Sequence, residues 1–199
     1  MALTYENCGA VILAGGASRR MGQDKARLEL EGESMLARLC RQLSPFRERL
    51  LSANDPALAE GLPLRLVTDL YPNSGPLAGL HAALSAAEKP ALFCVSCDLP
   101  NYTPALSAFL MARFPEDADV MVCRDKSGRV HPLCGIYTKR LLPILESQLK
   151  AEDYRVRSFL ERVRCAYLDT GAFFPDSIFF NMNTPEDFQK IKEEKNRQG

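Results

Sequence analysis

A short apolar run, Gly9-Ala-Val-Ile-Leu13, breaks off directly into Ala14-Gly-Gly16. A β-branched run closed by glycines reads as a buried strand that hands over to a glycine-rich loop, and a chain that starts this way must build a sheet around it. Further strand candidates are Arg49–Ser52, Leu64–Thr68, Ala91–Cys97, Val120–Cys123 and Leu133–Tyr137. Helical spacing lies between them: Ser34–Leu43 carries Met35, Leu36, Leu39 and Leu43 on one stripe, and Leu77–Ala87 and Thr103–Phe114 show similar faces. Such alternation predicts an α/β fold, a mostly parallel sheet with helices on both faces, with ligands bound outside the carboxyl ends of the strands. The later part predicts two consecutive helices, Leu141–Lys150 and Val156–Val163, then a short Cys165–Leu168 strand and a last helix. That helix starts at Thr184-Pro-Glu-Asp187, with Thr184 as N-cap and Pro185 in the first helical position.

A length of 199 residues with 46% hydrophobic and 25% charged composition predicts one globular domain over the whole chain, with residues 190–199 fraying at its end. Lys plus Arg and Asp plus Glu balance at 25 each, so no overall positive field draws the chain to nucleic acid or anionic lipid. No apolar run reaches the length of a membrane span and residues 1–9 lack the pattern of a secretory signal, so the expected location is the cytoplasm. The seven cysteines sit mostly in apolar runs, as reduced core thiols would. Cys94 and Cys97 have metal-site spacing, but in a strand residues three apart face opposite ways and cannot readily share an ion.

The densest chemical signal is Leu13-Ala-Gly-Gly-Ala-Ser-Arg-Arg-Met-Gly-Gln-Asp-Lys25, directly after the first strand. Its glycines let the backbone close on a polyanion, and Arg20 and Lys25 supply neutralising charge. It is neither a P-loop, which needs Gly-Lys-Ser/Thr, nor the G-x-G-x-x-G dinucleotide fingerprint. The segment resembles the signature of the molybdenum-cofactor guanylyltransferase family. That resemblance implies a Rossmann-like nucleotidyltransferase fold and transfer of GMP from GTP to the terminal phosphate of molybdopterin carrying molybdenum. It implies that Leu13, Ala14 and Gly15 lie along the guanosine, that Arg20 and Lys25 contact the triphosphate, and that Lys25 is catalytic.

Asp69 follows the Leu64–Thr68 strand, and Gly75-Pro-Leu-Ala-Gly79 opens the next helix. The glycine segment is similar to the guanylyltransferase pattern, and together with Gly15-Gly16 it favours GTP over CTP; a tight helix start is the plainer alternative. Cys97-Asp-Leu-Pro100 places Asp98 at the end of an apolar strand, where a hard carboxylate could hold Mg²⁺ or simply cap a turn. The resemblance makes Asp98 the magnesium ligand and a member of the catalytic set with Lys25 and Arg20. Asn54 also follows a strand, and an amide oxygen suits the N–H donors of guanine; the resemblance puts it among the nucleotide contacts.

Phe180-Asn-Met-Asn-Thr-Pro-Glu-Asp187 resembles the family's closing segment. Asn181 and Asn183 would share a face there, towards the pterin acceptor or the metal's surroundings, with helix capping as the alternative. Arg155-Val-Arg157 and His131-Pro-Leu133 fall where the family faces its acceptor, although Cys134 departs from the family's usual aromatic residue. A terminal phosphate is already ionised near neutral pH, so neither His131 nor His81 is required as a base. The competing functions are a molybdopterin cytidylyltransferase, a sugar-phosphate nucleotidyltransferase and a nucleotide-binding regulator without turnover. Molybdoenzyme maturation proteins are candidate partners.

Overall fold

The computed structural model describes residues 2–15 and 25–196. Their framework is a seven-stranded sheet of β1 (Cys8–Leu13), β4 (Arg49–Ser52), β5 (Arg65–Val67), β6 (Ala91–Ser96), β7 (Val120–Arg124), β8 (Val130–Thr138) and β9 (Cys165–Asp169), in the order β5-β4-β1-β6-β8-β7-β9. A separate two-stranded hairpin, β2 (Glu29–Leu30) with β3 (Glu33–Ser34), stands before the first helix. The helices are α1 (Met35–Gln42), α2 (Pro76–Ala86), α3 (Pro104–Met111), α4 (Leu142–Lys150), α5 (Val156–Leu160) and α6 (Pro185–Asn196). Six of the seven predicted strands begin and end within a residue of expectation; β8 starts three residues earlier, and α5 ends at Leu160 rather than continuing to Val163.

Strand alternation divides the core in two. Cys8, Ala10 and Ile12 of β1 and Phe93 and Val95 of β6 pack with Leu36 and Leu39 of α1 and Leu106 and Leu110 of α3. The intervening Val11 and Leu13, with Leu92 and Cys94, pack on the other face against Leu77, Leu80 and Leu84 of α2 and Leu145 and Leu149 of α4. Helices therefore cover both faces, as the buried apolar strands require. Cys94 and Cys97 fall into opposite layers, as their spacing predicts.

The sheet is not parallel throughout. The strands β5, β4, β1 and β6 run one way, and β8 runs against both β6 and β7. The chain leaves β6 through α3, skips one position to form β7, then turns back into the gap. The turn is built by Asp125, whose Oδ1 accepts from the Ser127 and Arg129 amides at 2.9 and 3.0 Å, while Gly128 adopts φ +85°. Opposite Val122, where the register shifts, Gly135 lets the strands close: a Cβ there would strike the Met121 carbonyl. Among the described residues no helix is long and apolar enough to cross a membrane.

Candidate functional site

The parallel strands end level with one another. Leu13 pairs with both Ser52 and Ser96, and Ser52 pairs with Val67. Two residues beyond these partners stand Gly15, Asn54, Asp98 and Asp69. In strand order they form a row Asp69, Asn54, Gly15, Asp98 across three inter-strand steps, about 14 Å in all. Four candidates separated by up to 83 positions in the chain thus share one edge because each lies the same distance past its strand. The ladder still reaches the intermediate residues: Ala14 N–H donates to Ser52, Ala53 to Val67 and Cys97 to Leu13. Beyond them the backbone fans out and the side chains face a cleft.

On one side of this edge, Asp69 is half-buried, with Oδ1 only 3.4 Å from the Ser52 hydroxyl. Burial pushes its carboxyl up from the ordinary value and that hydroxyl only partly opposes it. A Cβ on Gly15 would meet Asp69 Oδ2 at 4.0 Å, so the two face each other across the cleft. Helix α2 begins immediately after, at Gly75, whose φ of +67° favours glycine, and Pro76 sets the first helical residue. Gly79 lets the helix sit directly on the strands, since a Cβ there would run into the Ser52 hydroxyl. Asn54 is exposed; the neighbouring Asp55 caps a 3-10 turn at Pro56–Leu58 and pairs with Arg27 at 2.9 Å.

On the other side, Lys25 opens a 3-10 turn, Lys25–Arg27, anchored by buried Ala26 and Leu28. Its Nζ lies 3.5 Å from Asp98 Oδ2 and donates to Asn183 Oδ1 at 2.7 Å. Both charged side chains are largely shielded, at 15% and 16% exposure. Among the described residues Asp98 Oδ1 is buried with no hydrogen-bond partner. No backbone N–H donates to this oxygen among the described residues, so the turn-capping alternative gains no support from it. An orphaned, buried carboxylate oxygen at the mouth of the sheet suits a hard cation. Among the described residues no three His, Cys, Asp or Glu side chains cluster as a metal site, so most ligands of such a cation would come from phosphate oxygens and water.

Asn181 and Asn183 flank Met182, which is fully buried, so the two amides share the outward face as expected. They serve different neighbours. Asn183 reaches Lys25, while Asn181 lines a cavity of about 250 Å³ with Ser96, Leu99, His131 and Cys134. Ser96 and Leu99 bracket Asp98, so this cavity opens beside the Lys25–Asp98 pair. A larger space, about 560 Å³, shares Val130 and Pro132 with it and is bordered by Arg124, Arg157 and Tyr167. Arg155 itself turns outward to Asp153 at 2.8 Å. Gly16 and Arg20 lie outside the described residues.

Two features of the site went unread in the sequence. His131 stacks on Phe179 with ring centroids 4.1 Å apart and bonds Asp125 Oδ2 at 2.8 Å, forming a fixed wall of the smaller cavity. Asp187 binds the backbone beneath Asn183. Its place as an acid in the first turn of a helix was visible, but not what that turn holds.

Residues 10–167 match the model of the MobA-like NTP transferase domain. The chain belongs to this family. Within it the chain groups with molybdenum cofactor guanylyltransferases: it is 37% identical to a probable molybdenum cofactor guanylyltransferase of Pelotomaculum thermopropionicum over 92% of this chain and 90% of that one. It is 34% identical to a protein of the same name from Carboxydothermus hydrogenoformans, over 94% and 95% of the two chains. In structure it is similar to molybdopterin-guanine dinucleotide biosynthesis protein A from Archaeoglobus fulgidus, with a TM-score of 0.82, 24% identity and coverage of 95% and 99%, which shows the fold. The chain is thus a MobA-like nucleotidyltransferase, and the strand-end row is where its candidate residues Asp69, Asn54, Gly15 and Asp98 stand together.

Proposed function

We propose that this chain transfers GMP from GTP to the terminal phosphate of molybdenum-carrying molybdopterin, releasing pyrophosphate, as one nucleotidyltransferase domain of the cytoplasm. The observation that carries the reading is the Lys25–Asp98 pair at the strand ends, with Asp98 Oδ1 buried and unpartnered among the described residues. It is supported by the names of the relatives and by the cavity that opens beside this pair.

In this reading the guanosine lies along Leu13, Ala14, Gly15 and Gly16, with Asn54 and Asp69 at its side and Gly75 turning the backbone towards it. An oxygen of the acceptor's terminal phosphate attacks the α-phosphorus of GTP, the bond to the bridging oxygen breaks, and pyrophosphate departs with its electron pair. That phosphate is ionised near neutral pH, so no side-chain base is needed. The residues of the chain align the two phosphates and meet the growing charge: Lys25 and Arg20 offset it on the leaving group. Asp98 would hold Mg²⁺ through its orphaned oxygen; when bound, the ion lowers the charge repulsion between the two phosphate chains. Asn181, Asn183 and Arg155 face the acceptor's side. Molybdoenzyme maturation proteins would then receive the product.

Pyrophosphate release measured with GTP, CTP, UTP and ATP, each with and without molybdenum-molybdopterin, tests this. Release with GTP that requires the acceptor is expected. Equal or faster release with CTP would replace the reading by a cytidylyltransferase, and no release with any nucleotide would leave a binding protein.

A further inference from the structure

The segment 182–187 is fastened at more points than a helix start needs. Met182 is fully buried with Leu28, Leu30, Met35 and Ile191, and its N–H donates to the Asp98 carbonyl at 2.9 Å. Asp187 Oδ2 accepts from the Thr184 N–H at 2.9 Å and from the Asn183 N–H at 3.0 Å, while the Asp187 N–H donates to the Thr184 hydroxyl at 3.2 Å. The reciprocal Thr184–Asp187 bonds are a capping box and would suffice to start α6. The bond to Asn183 lies one residue outside the box. Its effect is to fix the backbone of the residue whose side-chain oxygen receives Lys25 at 2.7 Å.

We infer that Asp187 is a positioning residue for Lys25, acting through Asn183. The chemistry of the link favours this assignment. An ammonium aimed at a triphosphate must be held in place without losing its charge. Asp98 already lies 3.5 Å from Nζ, and a second carboxylate there would compete with the phosphates for it. Asn183 offers a carbonyl oxygen of zero net charge, which orients Nζ without neutralising it. The negative charge that fixes this amide is set one step back, at Asp187, spent on two backbone N–H groups. The same segment holds the Asp98 backbone through Met182, so the lysine and the carboxylate are kept in register by one short stretch.

The inference rests on the proposed activity for its kinetic arm only. Asp187→Ala should lower kcat roughly tenfold, within the range that small misplacements of reacting groups cost, with little change in KM for GTP. In an Asn183→Ala background the same change should have no further effect on kcat, and Asp187→Glu, which keeps the acceptor, should recover most of the rate. A helix cap with no role in positioning predicts otherwise: a lower melting temperature and the same fractional loss of kcat in both backgrounds. Asn183→Asp, which keeps the bond but adds the charge, should also lose rate. The second arm needs no activity. In protein labelled with [ε-¹³C]lysine, the Lys25 resonance, assigned through Lys25→Arg, should move in the same direction in Asp187→Ala and Asn183→Ala, and no further when both are combined. If that resonance is unmoved by Asp187→Ala, or if kcat falls equally in both backgrounds, the assignment is wrong. Failure of the wild type to release pyrophosphate would instead overturn the proposed activity, with the resonance still deciding the role of Asp187.

Discussion

The carboxylates two residues past β5 and β6, Asp69 and Asp98, are held differently from those on and beside β8, β7 and β9. On the half formed by β8, β7 and β9, acids are saturated with donors. Asp119 takes both arms of Arg164 and a nitrogen of Arg140, and Asp169 takes both arms of Arg124. Asp125 receives two backbone amides, the Ser127 hydroxyl and His131. On the half formed by β5, β4, β1 and β6, the acids at the cleft are left short. Among the described residues Asp98 keeps a buried oxygen without any partner, and Asp69 has one long bond to Ser52. Among the described residues Arg38 Nε, Gln42 Oε1, His81 Nδ1 and Gln148 Oε1 are also buried without partners, but Asp98 is the carboxylate in that set, and a short-supplied carboxylate at the strand ends is where an arriving cation would complete the count. In the proposed function the paired acids of the first half are architecture, and the strand-end acids of the second await charge that arrives with the substrate.

The sharpest contrast lies in turnover. Lys25→Ala should lower the rate of GMP transfer by roughly 10²–10³, the usual cost of removing one preorganised electrostatic group, with pyrophosphate release as the measurement. A rate within threefold of wild type would break the assignment. Asp98→Asn keeps size and a neutral oxygen but loses the charge that would offset Mg²⁺. It should cost roughly 10–100-fold, with part of the rate returned by higher Mg²⁺ or by Mn²⁺. Its melting temperature without ligand should stay close to wild type, since the carboxylate's one charged partner among the described residues, Lys25, is 3.5 Å away and keeps its shorter bond to Asn183. Asp125→Asn should do the reverse, melting earlier.

A smaller effect separates the same acids by the sign of their pH dependence. Burial raises the Asp69 carboxyl above its ordinary value, so the folded protein binds the proton more tightly than the unfolded chain does. Stability should therefore rise as pH falls through the raised value towards the ordinary range, and Asp69→Asn should remove that rise. Bonds from Ser127 first and His131 second hold Asp125 well below the usual range. Its contribution is present above about pH 4 and is lost as pH falls from there towards the depressed value. Melting curves of the two Asn variants against wild type between pH 3 and 7 should diverge from it in opposite senses. Curves of the same sense would remove the distinction between the two halves.

The α/β pattern makes a residue just past an apolar strand a site candidate, and the structure sets the candidates Gly15, Asn54, Asp69 and Asp98 level along one edge, as that placement requires. The pattern could not show that β8 is reversed. Its apolar run looks like those of its neighbours, and direction is set by the short Asp125–Arg129 turn, whose bonds lie within the turn itself. The link from Lys25 to Asn183 spans 158 positions, and no local spacing reports a contact of that kind. The hairpin of β2 and β3 has two residues in each strand, too few for alternation to register.

The central claim, that the under-supplied edge is built for a guanine nucleotide, is tested most directly by the melting temperature of the wild-type chain with Mg-GTP, Mg-CTP and Mg-ATP at equal concentrations. A ligand at 100 times its Kd stabilises the folded state by about 2.7 kcal/mol, which for a chain of this length is a rise of roughly 5–11 °C. Mg-GTP should give a shift of that order and the other two much less. Equal shifts with all three nucleotides, or none with Mg-GTP, would contradict the account.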